Sequence, residues 1–165
     1  MDVRPATLSD LPALHRLIES AYRGDAARAG WTHEADLVQT PRTSVETLAG
    51  LLADPDEALL LFLEANALVG CVQLTRRSPK TTYLGLLTVA PQRQAAGLGK
   101  RILAMAEHEA ARRFGASSIE LSVVSKRPEL IAYYQRRGYH LTGEERPFPE
   151  RVSPPLILLV LEKRL

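Results

Sequence analysis

The chain is short of several things, and each shortage narrows the field. Among 165 residues there is one cysteine, Cys71, so no intrachain disulfide and no cysteine metal cluster can form. That usage suits a reducing compartment. Cys71 lies in the apolar run "ALVGCVQL" and reads as a small buried filler rather than a reactive thiol. Long hydrophobic runs are missing too. The longest, "LILLVL", is strand-length, well short of the ~18 apolar residues that span a bilayer. The start "MDVRPATLSDLPAL" has neither the basic nor the apolar part of a secretory signal. The chain is therefore expected to be cytoplasmic, with no membrane partner. Charge of one sign is not in excess either. A net charge of +2 argues against nucleic acid as the partner. His15, His108 and His140 are scattered without metal-ligand spacing, so no metal site is expected.

What is present is ordinary for a globular domain: 45% apolar and 24% charged residues. No repeat or linker divides the chain, which reads as one domain over residues 1–165. "DVRPAT" predicts a strand. "LSDLPALHRLIESAYRG" predicts a helix with Ser9 or Asp10 as N-cap, Pro12 in its first turn, and Leu11, Leu14, Ile18 and Tyr22 on one face. "DAARAGWTHEADLVQTPRT" has no clean period and predicts a long loop, of the sort that is often functional. "SVETLAGLLAD" predicts a second helix, stopped by Asp54-Pro55. "EALLLFLEA" and "ALVGCVQLTRR" predict a hairpin turned at Asn66, followed by the strand "TTYLGLLTVA". Further on, "SSIELSVV" predicts a strand and "PELIAYYQRRG" a short helix. "YHLTGEE" and "PLILLVLEKR" predict two closing strands. Antiparallel strands followed by a strand–helix–strand crossover predict an α+β domain with a mixed sheet, helices on its faces and a parallel pair in the middle.

The most informative stretch is "APQRQAAGLGKRILAMAEHEAARRFG", Ala90 to Gly115. It places Gly97 and Gly99 at the mouth of a helix whose apolar stripe is Leu98, Ile102, Met105, Ala106 and Ala110. Free N–H groups at a helix start, with the helix dipole, favour an anion. Glycine lets that anion approach the main chain, and Arg93, Lys100 and Arg101 add positive charge nearby. A plain tight turn would also use these glycines. The glycine order does not match G-x-G-x-x-G, and Arg101 stands where a P-loop needs Ser or Thr.

"LTVAPQRQAAGLGKRIL" resembles the acetyl-CoA signature of the GNAT N-acetyltransferases through Leu87, Val89, Pro91, Gln94, Gly97 and Gly99. "AYYQRRGY" is similar to that family's later Y-x-x-x-G-F/Y segment through Tyr134, Gly138 and Tyr139. The element order follows the same fold over nearly the whole chain. The resemblance implies a three-layer α/β/α domain. Its mixed, mostly antiparallel sheet would have about seven strands, with a central parallel pair splayed to bind acetyl-CoA. It implies that amides over Gln94, Ala95, Ala96, Gly97, Leu98, Gly99 and Lys100 hold the CoA pyrophosphate. The strand edge at Leu87, Thr88 and Val89 would meet the pantetheine amides. It makes Tyr134 the proton donor to the leaving thiolate, a phenol being protonated at neutral pH. The family's usual Asn is replaced here by Arg127, which keeps a phosphate contact open for that loop.

Acetyl transfer needs a neutral amine, so a base is sought. Glu120, beside the implied wedge, and Glu34, in the long loop with His33 and Asp36, are the candidates. Tyr22, Trp31 and Glu34 are expected to contact the acceptor, a small-molecule or peptide amine. The acids of this loop suit a cationic amine, whereas Arg23 and Arg28 suit a carboxylate. A homodimer is compatible with this reading. A non-catalytic acyl-CoA sensor on the same fold and another phosphate- or nucleotide-binding protein are the alternatives.

Overall fold

The run Leu59-Leu60-Leu61-Phe62 has no polar residue with which to alternate, so both faces of its strand must be covered. In the computed structural model these four residues are the buried centre of β2 (Glu57–Glu64). Leu60 and Phe62 enter one core beneath α4 (Leu98–Phe114). Leu59 and Leu61 enter another, beneath α1 (Leu11–Tyr22) and α3 (Val45–Ala53). Helices on both faces of a sheet give the three layers expected. The structure describes every residue except Ala29, Trp31, Thr32 and Ala95.

The remaining strands are β1 (Asp2–Pro5), β3 (Ala67–Arg76), β4 (Thr81–Val89), β5 (Ser118–Val124), β6 (His140–Pro147) and β7 (Ile157–Arg164). They form one seven-stranded sheet in the order β1-β2-β3-β4-β5-β7-β6. Every pairing is antiparallel except β4 with β5. The β2–β3 turn sits at Ala65 and Asn66, whose φ angles are 47° and 64°. Those left-handed values suit the right-handed twist of a two-residue hairpin.

Helix boundaries follow local chemistry. Ser44 caps α3 by accepting a 3.1 Å bond from the Thr47 amide. For α1 the entry lies further back than the expected Ser9 or Asp10 cap. Thr7 opens a short 3-10 turn, Leu8–Asp10, that runs directly into the helix. Asp10 closes that turn by accepting the Thr7 amide at 2.8 Å. Within the expected long loop, α2 (Gly24–Ala27) is a single helical turn. Val38 then pins the loop to Val124 and Leu156. The last helix, α5 (Pro128–Gln135), begins at a proline and is capped by Arg127.

Two features of β4 shape the site. Its parallel pairing with β5 covers only Thr81–Tyr83 against Ser118–Glu120, after which the strands part. Its pairing with β3 carries one extra residue between Cys71/Thr88 and Gln73/Gly85, a β-bulge. Leu86 takes a left-handed φ of 48° there. Its carbonyl accepts the Thr88 hydroxyl at 2.9 Å and the Cys71 thiol at 3.5 Å. The extra residue reverses the alternation of faces. Leu84 belongs to the core under α4, Leu86 to the core under α1, and Leu87 and Val89 pack again on the α4 side.

Among the described residues, no helix is long and apolar enough to cross a membrane. Nor do three or more His, Cys, Asp or Glu side chains gather there in a way that could hold a metal ion.

Candidate functional site

Where β4 and β5 part, the sheet opens into two clefts. The larger, about 380 Å3, runs from Leu87, Thr88 and Val89 to Gln94, Gly97, Gly99 and Lys100. Its opposite side comes from the face of α5 and the turn after it, including Tyr133, Arg136 and Arg137. The smaller, about 160 Å3, lies between the parted strands, against residues 83–87 of β4 and 121–124 of β5, and carries the charged side chains of Arg23, Glu34, Arg42, Arg127 and Glu150.

The two glycines act differently. Gly97 has a left-handed φ of 78° at the N-cap of α4, a conformation that a residue with a Cβ resists. Nothing lies within 4 Å of where its Cβ would be, so the constraint is the backbone rather than crowding. Gly99 is crowded: a Cβ would sit 3.0 Å from the Tyr133 hydroxyl. Of the three nearby cations expected from the sequence, Lys100 lines the cleft. Arg93 and Arg101 instead hold Glu64. Positive charge comes also from Arg136 and Arg137. The Arg137 Nη1 donates to the Tyr133 carbonyl at 2.6 Å, while its buried Nε has no partner. Leu98 points into the core and Ala96 is exposed, so any contact from either would be through the main chain. Ala95 lies outside the described residues.

Tyr22, Leu87, Arg127, Leu130 and Tyr134 line both clefts and form their common wall. The Tyr22 hydroxyl donates to the Leu87 carbonyl at 2.6 Å. The Val89 carbonyl accepts from Gln94 at 3.1 Å. A ligand amide seeking these oxygens must compete with both side chains. Burial pushes the Tyr22 phenol up to about 12. Tyr134 is 6% exposed, edge-on to both Tyr133 and Tyr139. Burial raises its phenol well above the usual tyrosine range. The buried phenol is therefore kept as O–H, and that hydroxyl has no hydrogen-bond partner among the described residues.

Arg127 is 5% exposed on this wall. Sequence reading left it as a phosphate contact of a loop. The structure instead sets it at the junction of the two clefts. Its Nε meets Glu129 at 3.2 Å, and its buried Nη2 has no partner.

The second cleft holds Glu34 against Arg23 at 2.5 Å, both largely buried. Arg42 lies over the Tyr22 ring, 5.3 Å from its centroid, and Glu150 accepts from the Thr40 hydroxyl. Of the expected acceptor contacts, Tyr22 and Glu34 thus come together here, and Trp31 lies outside the described residues. Glu120 does not join them. It lines neither cleft, and it is paired with Arg146 at 3.2 Å and Arg77 at 3.6 Å. His33 lines the larger cleft rather than the smaller.

Sequence reasoning missed Leu130, Arg42, Arg136 and Arg137. A helical period counted from Tyr134 would have found some of them, because 127, 130, 134 and 137 share one face. Arg42 carries no such signal.

Comparison with known proteins bears on this geometry. The model of the Acetyltransferase (GNAT) family matches residues 11–139. Among curated proteins, no sequence matches. Many solved structures share the fold. One is yncA, a putative acetyltransferase from Salmonella typhimurium with its cofactor acetyl-CoA. It is 19% identical with a TM-score of 0.72, covering 100% of this chain and 94% of that one. A ribosomal-protein-alanine N-acetyltransferase from Brucella melitensis is 19% identical with a TM-score of 0.71, covering 100% of both chains. A spermidine N-acetyltransferase SpeG chimera from Vibrio cholerae and hSSAT is 16% identical with a TM-score of 0.74. It covers 99% of this chain and 96% of that one. At these identities the structures share a fold with this chain and nothing finer.

Proposed function

The chain belongs to the GNAT acetyltransferase family, and from that premise we propose that it is an acetyl-CoA-dependent N-acetyltransferase. It transfers the acetyl group directly to a primary amine of a small molecule or peptide, and the whole of 1–165 acts as one domain. The observation that carries this reading is the common wall. Tyr134, buried and held as O–H, faces one cleft that ends at a cationic helix start and another lined by acids and arginines.

The residues of the larger cleft fit acetyl-CoA. The amides around Gly97 and Gly99 and the side chains of Lys100, Arg136 and Arg137 suit a pyrophosphate. The unpartnered Arg137 Nε is a donor that an anionic ligand would satisfy. Leu87, Thr88 and Val89 present the strand edge for the amide-bearing arm. When bound, acetyl-CoA supplies a thioester as acyl donor. Arg127 is then a cofactor contact at the acyl end rather than at the phosphates.

The chain's own groups do the rest. Tyr134 gives its proton to the departing sulfur, burial holding that proton on the phenol until the thiolate develops. Glu34 is the better placed base, through water, because it lines the acceptor cleft. Glu120, between two arginines and outside both clefts, is the weaker candidate. A covalent route through Cys71 is disfavoured. The thiol is fully buried and burial pushes it up to about 12, so thiolate is scarce. Acceptors named for the structural relatives are spermidine and an alanine of a ribosomal protein.

Calorimetry with acetyl-CoA, ATP and NAD tests the first half of the proposal. Binding of acetyl-CoA alone is expected, and its absence would overturn the reading. A screen of amines followed by CoA release tests the second half.

A further inference from the structure

The second cleft mixes signs in a way that a plain amine does not explain. Its lining contains Arg23, Arg42 and Arg127 against Glu34 and Glu150. Each acid is engaged through one oxygen. Glu34 accepts from Arg23, and Glu150 accepts from the Thr40 hydroxyl. The cations are not used up. Arg127 and Arg23 are 5% and 7% exposed, and each has a buried Nη2 with no partner. The one carboxylate on Arg127, Glu129, meets only Nε and is half exposed. Arg42 has no ion pair among the described residues and rests on the Tyr22 ring. A buried donor left without an acceptor is costly, and guanidinium donors match a planar carboxylate in pairs.

We propose that this cleft takes an amine that also carries a carboxylate, held by Arg127 with Arg42, while the amino group lies toward Glu34. The inference rests on the acetyltransferase reading and names its acceptor class. It also accounts for the acids and arginines together, because a zwitterion uses both. The volume, about 160 Å3, is below the ~300–1,000 Å3 of drug-sized sites. A small amino acid is therefore favoured over a peptide end. A polyamine would bring further positive charge to a lining whose three arginines already outnumber its two carboxylates.

The test uses the full chain with acetyl-CoA and follows CoA release. L-alanine, β-alanine and 4-aminobutyrate are each compared with the corresponding primary amide, beside spermidine and an alanine-headed peptide. At least one acid should exceed its amide by about 10-fold or more in kcat/KM, the scale of one charge-assisted bond. Arg42→Gln, at a half-buried position that lines only this cleft, should bring that ratio near unity by raising the acceptor KM, with the acetyl-CoA KM moving by less than about threefold. Arg127→Gln should lower the same ratio while also raising the acetyl-CoA KM, because Arg127 lines both clefts. Amides equal to acids in every pair, spermidine above every acid, or an unchanged ratio in the folded variants would each overturn the inference. Acid-against-amide thermal shifts on the free protein separate the two levels. If acetyl-CoA fails to bind but an acid alone stabilises the chain, the acetyltransferase reading fails and the carboxylate site stands. If acetyl-CoA binds, no acceptor turns over and no acid-specific shift is seen, the carboxylate site fails and the cofactor reading stands.

Discussion

The two clefts share a wall and are built on opposite principles. The larger is largely a backbone site: a strand edge, a left-handed glycine and the free amides of a helix start. The smaller is a side-chain site, with charged groups from the loop after α1, the N-cap of α5 and the segment before β7 set against the parted strands. A backbone site can be met by sequences that share little beyond a few glycines. A side-chain site changes with each substitution. The contrast explains how a cofactor can be common to distant relatives while acceptors diverge.

The contrast can be broken or sharpened by experiment. The largest effect is expected on the common wall. Tyr134→Phe should lower kcat by roughly 10²-fold or more, the usual yield of a positioned acid, with acetyl-CoA affinity little changed. Unchanged turnover would remove Tyr134 from the chemistry. Next comes the backbone site. Gly97→Val should weaken acetyl-CoA binding in calorimetry by more than ten-fold, beyond a folding loss of about 1–2 kcal/mol from the left-handed backbone. Equal losses in binding and in melting would mean that the turn serves folding alone. On the side-chain site, Glu34→Gln should lower kcat and raise the acceptor KM while leaving the acetyl-CoA KM alone, and lower stability by roughly 1–3 kcal/mol as Arg23 loses its counter-ion. A rise in both KM values would erase the distinction between the clefts.

The smallest effect on the clefts comes from buried acids. Cys71, in the core under α1, and Tyr22, on the wall, are held neutral in the fold, both pushed up to about 12 by burial, and Tyr134 and Tyr139 are pushed up further. Between about pH 9 and pH 12 the unfolded chain releases these protons first, so unfolding gains and stability falls as pH rises. The melting temperature should be flat below that window and decline within it. Cys71→Ala should move the start of the decline upward, toward the ordinary tyrosine range. A decline that begins near neutrality would point elsewhere.

These differences also mark what could be read from the chain itself. The seven strands, their order and the parallel pair were legible, because periodicity and punctuation act over a few residues. Gly97 and Gly99 stood out at a helix mouth and Tyr134 through a family resemblance, and the structure brings all three to one cleft. Arg127 was visible as a departure, but its burial on the wall between the clefts was not, since the burial of a cap residue depends on how α5 seats against the sheet. Glu120 and Glu34 looked equivalent in sequence. Long-range partners separate them: Arg77 and Arg146 draw Glu120 away from the clefts, whereas Arg23 holds Glu34 inside one. Arg42 could not be found from any local pattern, because its position comes from the path of an irregular loop.

The extra residue at Leu86 has a consequence for how this chain can change. It works as a parity bit for the strand. Upstream, even-numbered positions face α4; downstream, odd-numbered ones do. Deleting that single residue would swap the α1-side and α4-side positions over the whole tail of β4. The strand can thus exchange one side chain for another far more readily than it can lose or gain a position. Drift in this family's acceptor side has room to run through substitutions, while the length of the strand beneath it is held as a fixed frame.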